Sequence, residues 1–419
     1  MRGWAMHSTR IPSLDGMRAL AILMVIALHI HQRFPSSSNQ TLMNLVFSAD
    51  GVGIFFVLSG FLITSLLLRE YEARGTIGFK HFYLRRTFRI LPPLYAYLAF
   101  VVVFCRVLSY PLHPKSIAGS ALFYLNYFPA GGQWLTEHTW SLCVEEQFYL
   151  LWPMALVFVL KRGGKGAAAK LAAALIITAP LLRIATKMSH LAIFDHRLSF
   201  LLHTRMDALM SGCLLSLVVG TPKFELLYAK IAKFWWLLPL EFTLVSGALT
   251  FFLGVTYRFT VGYTIDSICV ALFLVWSTRN PTSPVGNILN SRLMVRIGVL
   301  SYSAYIWQTF FIHTENPTWL NRMPWGFIFI WIAALISYKL IEQPAIVFRK
   351  YIESHLRADG KRHAVEPGEA REVHAFHQPM GRPGESNFAV SHTGATEPSS
   401  SRDNLTLNGG SEPIHSVIQ

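Results

Sequence analysis

Apolar residues gather along this chain in long runs separated by short polar and basic stretches. Ten runs are long or apolar enough to cross a bilayer, given about 20 residues per helical crossing. They are Ser13–His31, Val46–Leu68, Ile90–Leu108, Leu142–Leu160, Ala167–Ile184, Leu198–Gly220, Phe234–Leu253, Val261–Trp276, Leu293–Ile312 and Trp325–Phe348. The expected fold class is therefore all-α, a polytopic membrane bundle of about ten transmembrane helices over residues 11–350. The stretch Ile117–Phe128 is apolar but too short to span, and is expected to lie in the interface or re-enter.

After Lys350 the pattern stops. Residues 351–419 are rich in Ser, Gly, Pro, Glu, His and Asn and have almost no apolar clustering, so a disordered cytoplasmic tail is expected. Asn404-Leu405-Thr406 matches a glycosylation acceptor, but on this topology it faces the wrong side of the membrane.

Composition sharpens the membrane reading. The chain is 52% hydrophobic and only 14% charged, where a soluble domain carries about 25% charged residues. Its net charge of +14 does not indicate nucleic acid, because the basic residues sit between apolar runs rather than on one face. Arg69, Arg74, Lys80, Arg85, Arg86 and Arg89 fill one loop region, Lys161, Arg162, Lys165 and Lys170 another, while the intervening loops hold little more than Arg33, Lys115, Arg258 and Arg322. This alternation places both termini in the cytoplasm. The N-terminus imitates a signal peptide but has no small-residue cleavage site, and Arg18 interrupts its apolar stretch, so it is expected to remain as the first helix. Cys105, Cys143, Cys213 and Cys269 are far apart in apolar runs and indicate neither a zinc site nor a disulfide framework.

Ionisable side chains inside a bilayer cost at least about 2.5–3.5 kcal/mol each and ask for a reason. Arg18, His29, Glu145, Glu146, Arg205 and Asp207 fall inside the predicted spans. The plain alternative is that they pair with one another as structural glue. Arg18 and His29 lie eleven positions apart, so they share one helix face about 16 Å apart along the axis. Glu145 is expected at a depth similar to His29, close enough for a His–carboxylate pair of the kind general-base catalysis uses. Ser141, Glu145 and Tyr149 recur at i, i+4 and i+8, a polar and aromatic stripe against which a sugar could stack. Arg86 and Arg89, one helical turn apart, form a fork suited to a diphosphate; plain topological anchoring is the alternative.

Several of these residues sit in stretches that resemble the acyltransferase-3 family of integral-membrane O-acyltransferases. Leu14-Asp15-Gly16-Met17-Arg18 with His29 is similar to the family's opening signature, and Gly53 to Ile63 to its second-helix motif. Arg86-Thr87-Phe88-Arg89-Ile90-Leu91-Pro92 resembles its R-x-x-R element. Trp140-Ser141-Leu142-Cys143-Val144-Glu145-Glu146-Gln147-Phe148-Tyr149 is the most specific match. Arg205-Met206-Asp207, Leu300 to Trp307 and Ile341-Glu342-Gln343-Pro344 follow in the family's order, so the resemblance covers roughly residues 11–350. One departure is Gln308, where the family often has His after Tyr305-Ile306-Trp307.

The resemblance implies a multi-pass enzyme of a bacterial-type inner (plasma) membrane that acylates an extracytoplasmic carbohydrate from a cytoplasmic thioester. His29 is then the expected catalytic residue, oriented by Glu145. Arg18, Arg86 and Arg89 are the expected contacts of the donor, acyl-CoA and in the first place acetyl-CoA. Trp140, Ser141 and Tyr149 are the expected sugar contacts. Direct proton abstraction from the acceptor and an acyl-histidine intermediate are both open at this level. No permanently bound cofactor, metal or nucleic acid is expected; the partners are acyl-CoA, a carbohydrate acceptor and the lipid bilayer, with a homodimer as one admissible assembly. No esterase-like domain is appended within the sequence, so any hand-off is expected within the membrane domain or to a partner. The alternative class is a non-catalytic transporter or flippase of a glycolipid or small solute, in which the same charges line a path.

Overall fold

The computed structural model describes residues 11–33, 50–128, 133–188, 199–316 and 318–365, and side chains as far as residue 355. Among the described residues there are helices and no strand. The elements that matter for the site are α1 (Pro12–Arg33), α2 (Gly51–Arg74), α3 (Phe79–Val107), α4 (Pro114–Ala121), α5 (Trp134–Glu137), α6 (Trp140–Met188), α7 (Leu202–Val218), α8 (Pro222–Ile231), α9 (Leu237–Leu253), α10 (Val255–Arg279), α11 (Pro284–Leu289), α12 (Arg292–Ile312) and α13 (Trp325–His355). The bundle lies within the compact unit Met1–Asp359.

Local sequence explains where the helices begin and break. Asp50 caps α2 by accepting from the Gly53 amide at 3.0 Å, and Gly75 closes that helix in the left-handed region (φ 68), donating to the Tyr71 carbonyl. Pro92 and Pro93 remove two amide donors from the middle of α3, and the Tyr302 hydroxyl donates to the Ile90 carbonyl at 2.7 Å in that loosened turn. Helix α6 is 49 residues long and breaks at Gly164, whose φ of 66 and ψ of −167 no ordinary helical residue adopts. The break falls between the expected spans Leu142–Leu160 and Ala167–Ile184.

Helices α2 and α7 cross in direct contact. A Cβ added at Gly60 would collide with the Leu209 carbonyl oxygen, and one at Gly212 with the Val57 carbonyl oxygen, the small-residue packing that membrane helices use where no hydrophobic force separates protein from lipid. Cys213 Sγ donates to the Gly60 carbonyl at 3.7 Å in the same seam. A second cluster joins the outer halves of α1, α3 and α12 through Ile26, Tyr97, Phe104, Ile306 and Phe310.

Two of the charged residues flagged in the sequence act as glue within the bundle. Arg205 pairs with Asp50 at the start of α2. Asp207 accepts from Arg183 at 2.9 Å and from the Thr264 hydroxyl at 2.6 Å, and both charged side chains are fully buried. Removing one member of such a pair strands the other, which is where its structural importance lies.

By length and apolarity six described helices can cross a membrane: Pro12–Arg33, Gly51–Arg74, Phe79–Val107, Trp134–Met188, Val255–Arg279 and Trp325–His355. A seventh is added if Leu202–Val218 and Pro222–Phe234, bent by 115° at their junction, count as one broken span. The expected count of ten is not reached on these criteria. The expected spans Leu142–Leu160 and Ala167–Ile184 lie on the two sides of the Gly164 break within α6, and α9 has the composition of a span but stops short at Leu237–Leu253. The stretch that was too short to span folds as α4 and a 3-10 turn, Leu125–Tyr127. The helical backbone of α13 continues to Val365, so residues 351–365 of the expected tail are helical, and the rest of it, residues 366–419 including Asn404, lies outside the described residues.

Candidate active site

Helix α1 contributes to two cavities: Arg18 lines one of about 90 Å³, termed the inner cavity, and Val25, Leu28, His29 and Gln32 line another of about 410 Å³, termed the outer cavity. Val52 and Tyr305 line both, so the two cavities adjoin there.

The inner cavity gathers sequence-flagged residues of three helices, α1, α3 and α6, with further residues from α2 and α12. Arg18 comes from α1, Ser59 from α2, Arg86 and Arg89 from α3, and Ser141, Glu145 and Tyr149 from α6, while Ser301, Tyr302 and Tyr305 of α12 complete it. The i, i+4, i+8 stripe on α6 therefore faces one space, as its spacing requires. Three arginines and one carboxylate line it, so its walls carry net positive charge. Arg18 is braced by Asp15 at 3.2 Å. The Arg86 guanidinium lies over the Tyr149 ring at 4.9 Å, a cation–π contact that holds the charge without neutralising it. Tyr149 donates to Ser59 Oγ at 3.0 Å, and Ser59 donates to Glu145 Oε1 at 2.7 Å.

The expected His29–Glu145 pair is not formed. Glu145 is bonded to Ser59 in the inner cavity, and the His29 ring meets Gln308 Oε1 through Nδ1 at 3.0 Å in the outer one. The physical reason is the segment before α6. Gln133, Trp134, Leu135, Thr136, His138 and Thr139 are buried, so α6 starts inside the protein rather than at its edge. That places Glu145 deeper than counting from a surface end suggests.

The outer cavity combines polar and aromatic walls. His29, Asp50, Glu137, His138, Thr309 and His313 line it together with Trp134, Trp140 and Phe200. Trp140 is thus separated from Ser141 and Tyr149, which line the inner cavity. At the passage, Tyr305 donates to the His138 carbonyl at 2.7 Å and accepts from the Ser141 hydroxyl at 2.7 Å, so its ring is fixed from both sides. The Thr309 hydroxyl is buried without a hydrogen-bond partner beside His29. Among the described residues no group of three or more His, Cys, Asp or Glu side chains is arranged to hold a metal ion.

The site residues to which the sequence assigned no role are Ser59, Tyr305, His138 and Asp50, together with Gln308, noted there only as a departure from the family pattern. Ser301, Tyr305 and Gln308 recur at helical spacing on one stretch of α12, a polar stripe in an apolar helix that could have been read as a wall. His138 carried no such signal because it lies just outside a predicted span, and Asp50, near the start of the expected span Val46–Leu68, was not among the ionisable residues singled out.

A family model described as an acyltransferase domain matches residues 11–341. The chain is 32% identical over 378 residues to the "Putative peptidoglycan O-acetyltransferase YrhL" of Bacillus subtilis, covering 81% of this chain and 55% of that protein. It is 28% identical over 364 residues to the peptidoglycan O-acetyltransferase OatA of Listeria monocytogenes, covering 80% of this chain and 55% of that one. A "Putative O-acetyltransferase" of Staphylococcus aureus is 29% identical over 368 residues, covering 81% of this chain and 57% of that protein. The chain thus spans little more than half the length of these relatives. No solved structure matches it.

Proposed function

Since this chain belongs to the acyltransferase-3 family, matched by its model over residues 11–341, we propose that it is a membrane O-acyltransferase. It moves an acyl group, acetyl in the first place, from cytoplasmic acyl-CoA to a hydroxyl of an extracytoplasmic or membrane-linked carbohydrate. The observation that carries this reading is the pair of cavities that meet at Val52 and Tyr305, one cationic and one holding His29. A donor with phosphates at one end and a thioester at the other matches that division. The names of the relatives, peptidoglycan O-acetyltransferases among them, support an acetyl donor and a sugar acceptor.

In this mechanism Arg86, Arg89 and Arg18 hold the phosphates of CoA in the inner cavity by charge-assisted contacts. The pantetheine arm passes Tyr305, so that the thioester carbon reaches the outer cavity. His29 removes the proton from the acceptor hydroxyl, whose oxygen attacks the carbonyl carbon. The new C–O bond forms, the C–S bond breaks, and the departing thiolate takes the proton back from the imidazolium. Aromatic walls of Trp134, Trp140 and Phe200 suit the apolar face of a sugar ring. Glu145 acts on the donor side, where its carboxylate faces the arginines. The basic loops place both termini and the donor side in the cytoplasm, and the membrane is the plasma membrane of a bacterial-type cell.

The test is an assay of purified protein in vesicles with acetyl-CoA and short chitooligosaccharides. Transfer with release of one free thiol per acylated sugar is the expected result. Sugar or lipid movement across the vesicle without thiol release would replace the enzyme by a transporter.

A further inference from the structure

The residue that holds His29 is Gln308. Resting on the reading of His29 as the base, we infer that Gln308 is a positioning residue that fixes the imidazole in its Nδ1–H form and directs Nε2 at the acceptor hydroxyl. The Gln308 side chain is fully buried on α12, with Oε1 at 3.0 Å from His29 Nδ1. An amide oxygen only accepts, so the Nδ1 that meets Gln308 Oε1 carries the proton and Nε2 is left with its lone pair.

The surroundings leave this task to Gln308. Asp50, Glu137, His138 and His313 line the same cavity as His29, and Arg33 lines the adjoining one. Asp50, His138, Arg33 and His313 have hydrogen-bond or ion-pair partners other than the His29 ring. Asp50 is paired with Arg205, His138 Nε2 donates to the Ile306 carbonyl at 3.0 Å, and Arg33 donates to the Ile312 and His313 carbonyls at 2.9 and 3.0 Å. His313 Nδ1 accepts from the Glu315 amide at 3.2 Å. The base is therefore oriented by a neutral amide rather than a carboxylate. A neutral partner fixes the ring and favours the second proton less than a carboxylate would, so His29 returns the proton more readily to the leaving thiolate.

The consequence is measurable with three variants in vesicles, compared with the parent and with His29→Ala. Gln308→Met keeps the length and removes the accepting oxygen; kcat should fall about tenfold or more while the KM for acetyl-CoA stays within about twofold. Gln308→Glu restores the oxygen and adds charge. It should recover most of the turnover and move the acid limb of the pH–rate profile to higher pH, because a carboxylate favours the protonated ring. Gln308→Asn, one methylene too short, should resemble the Met variant. If the Met variant keeps parental kcat, or if the Met and Glu variants lose turnover alike with an unmoved acid limb, the assignment to Gln308 is wrong. Should the Met variant fail to insert, the acid limb of the Glu variant alone decides. The two readings separate cleanly: transfer surviving in His29→Ala overturns the base itself, whereas an inactive His29→Ala beside a fully active Gln308→Met overturns only the positioning role.

Discussion

Arg18 and His29 stand on one face of helix α1, yet Arg18 lines the inner cavity and His29 the outer one, with Val52 and Tyr305 between. Eleven residues of straight helix thus set a distance of about 16 Å between anion recognition and the proposed chemistry. A donor must be long, with its charge remote from its reactive bond, to use both. The predictions that follow probe each end of that distance and the scaffold that fixes it.

At the donor end, Arg86→Ala and Arg89→Ala should raise the KM for acyl-CoA more than they lower kcat. Contacts far from the reacting carbon bind ground state and transition state equally. A charge-assisted contact is worth about 1.5–3 kcal/mol, so about a tenfold to a hundredfold rise is expected from steady-state kinetics. Unchanged CoA binding in both variants would reduce these arginines to topological anchors.

Glu145 offers a contrast. It accepts from Ser59 and does not touch His29, so Glu145→Gln should leave kcat within about threefold of the parent and act chiefly on donor KM. A fall in kcat of about a hundredfold would mean that Glu145 reaches the imidazole during turnover, as general-base assistance of about 10²–10⁴ requires.

The scaffold prediction concerns Arg183 and Asp207, a fully buried pair outside both cavities. Arg183→Met or Asp207→Leu alone should destabilise the bundle by about 3–5 kcal/mol, since each strands a buried charge. The double substitution should cost clearly less than either single one. Unfolding of the four proteins in detergent measures this, and simple additivity of the two losses would show that the pair is not coupled.

Much of this arrangement was legible in the sequence, and the misses have physical causes. The run of Arg18 and His29 on one face, the Ser141–Glu145–Tyr149 stripe and the Arg86–Arg89 fork each depend only on helical periodicity, which local sequence determines. Depth was the weak point. Placing Glu145 beside His29 assumed that α6 starts at the edge of the bundle, whereas Trp134 and His138 are packed inside ahead of it. Partnership across helices was equally hidden, because nothing local ties Gln308 to His29, 279 positions away. The number of spans is a further point that local sequence leaves open: α6 breaks at Gly164 between two expected spans, and length alone does not say where a helix leaves the bilayer.

The most direct measurement is acyl transfer by His29→Ala, normalised to correctly inserted protein and accompanied by acyl-CoA binding. The account predicts that transfer falls by at least about a hundredfold while donor affinity stays near the parental value, because the imidazole moves a proton and does not hold the phosphates. His29→Gln should fail equally, as an amide can hydrogen-bond but cannot take the proton. A folded His29→Ala protein that binds acyl-CoA and still transfers the acyl group at near-parental rate would contradict the account.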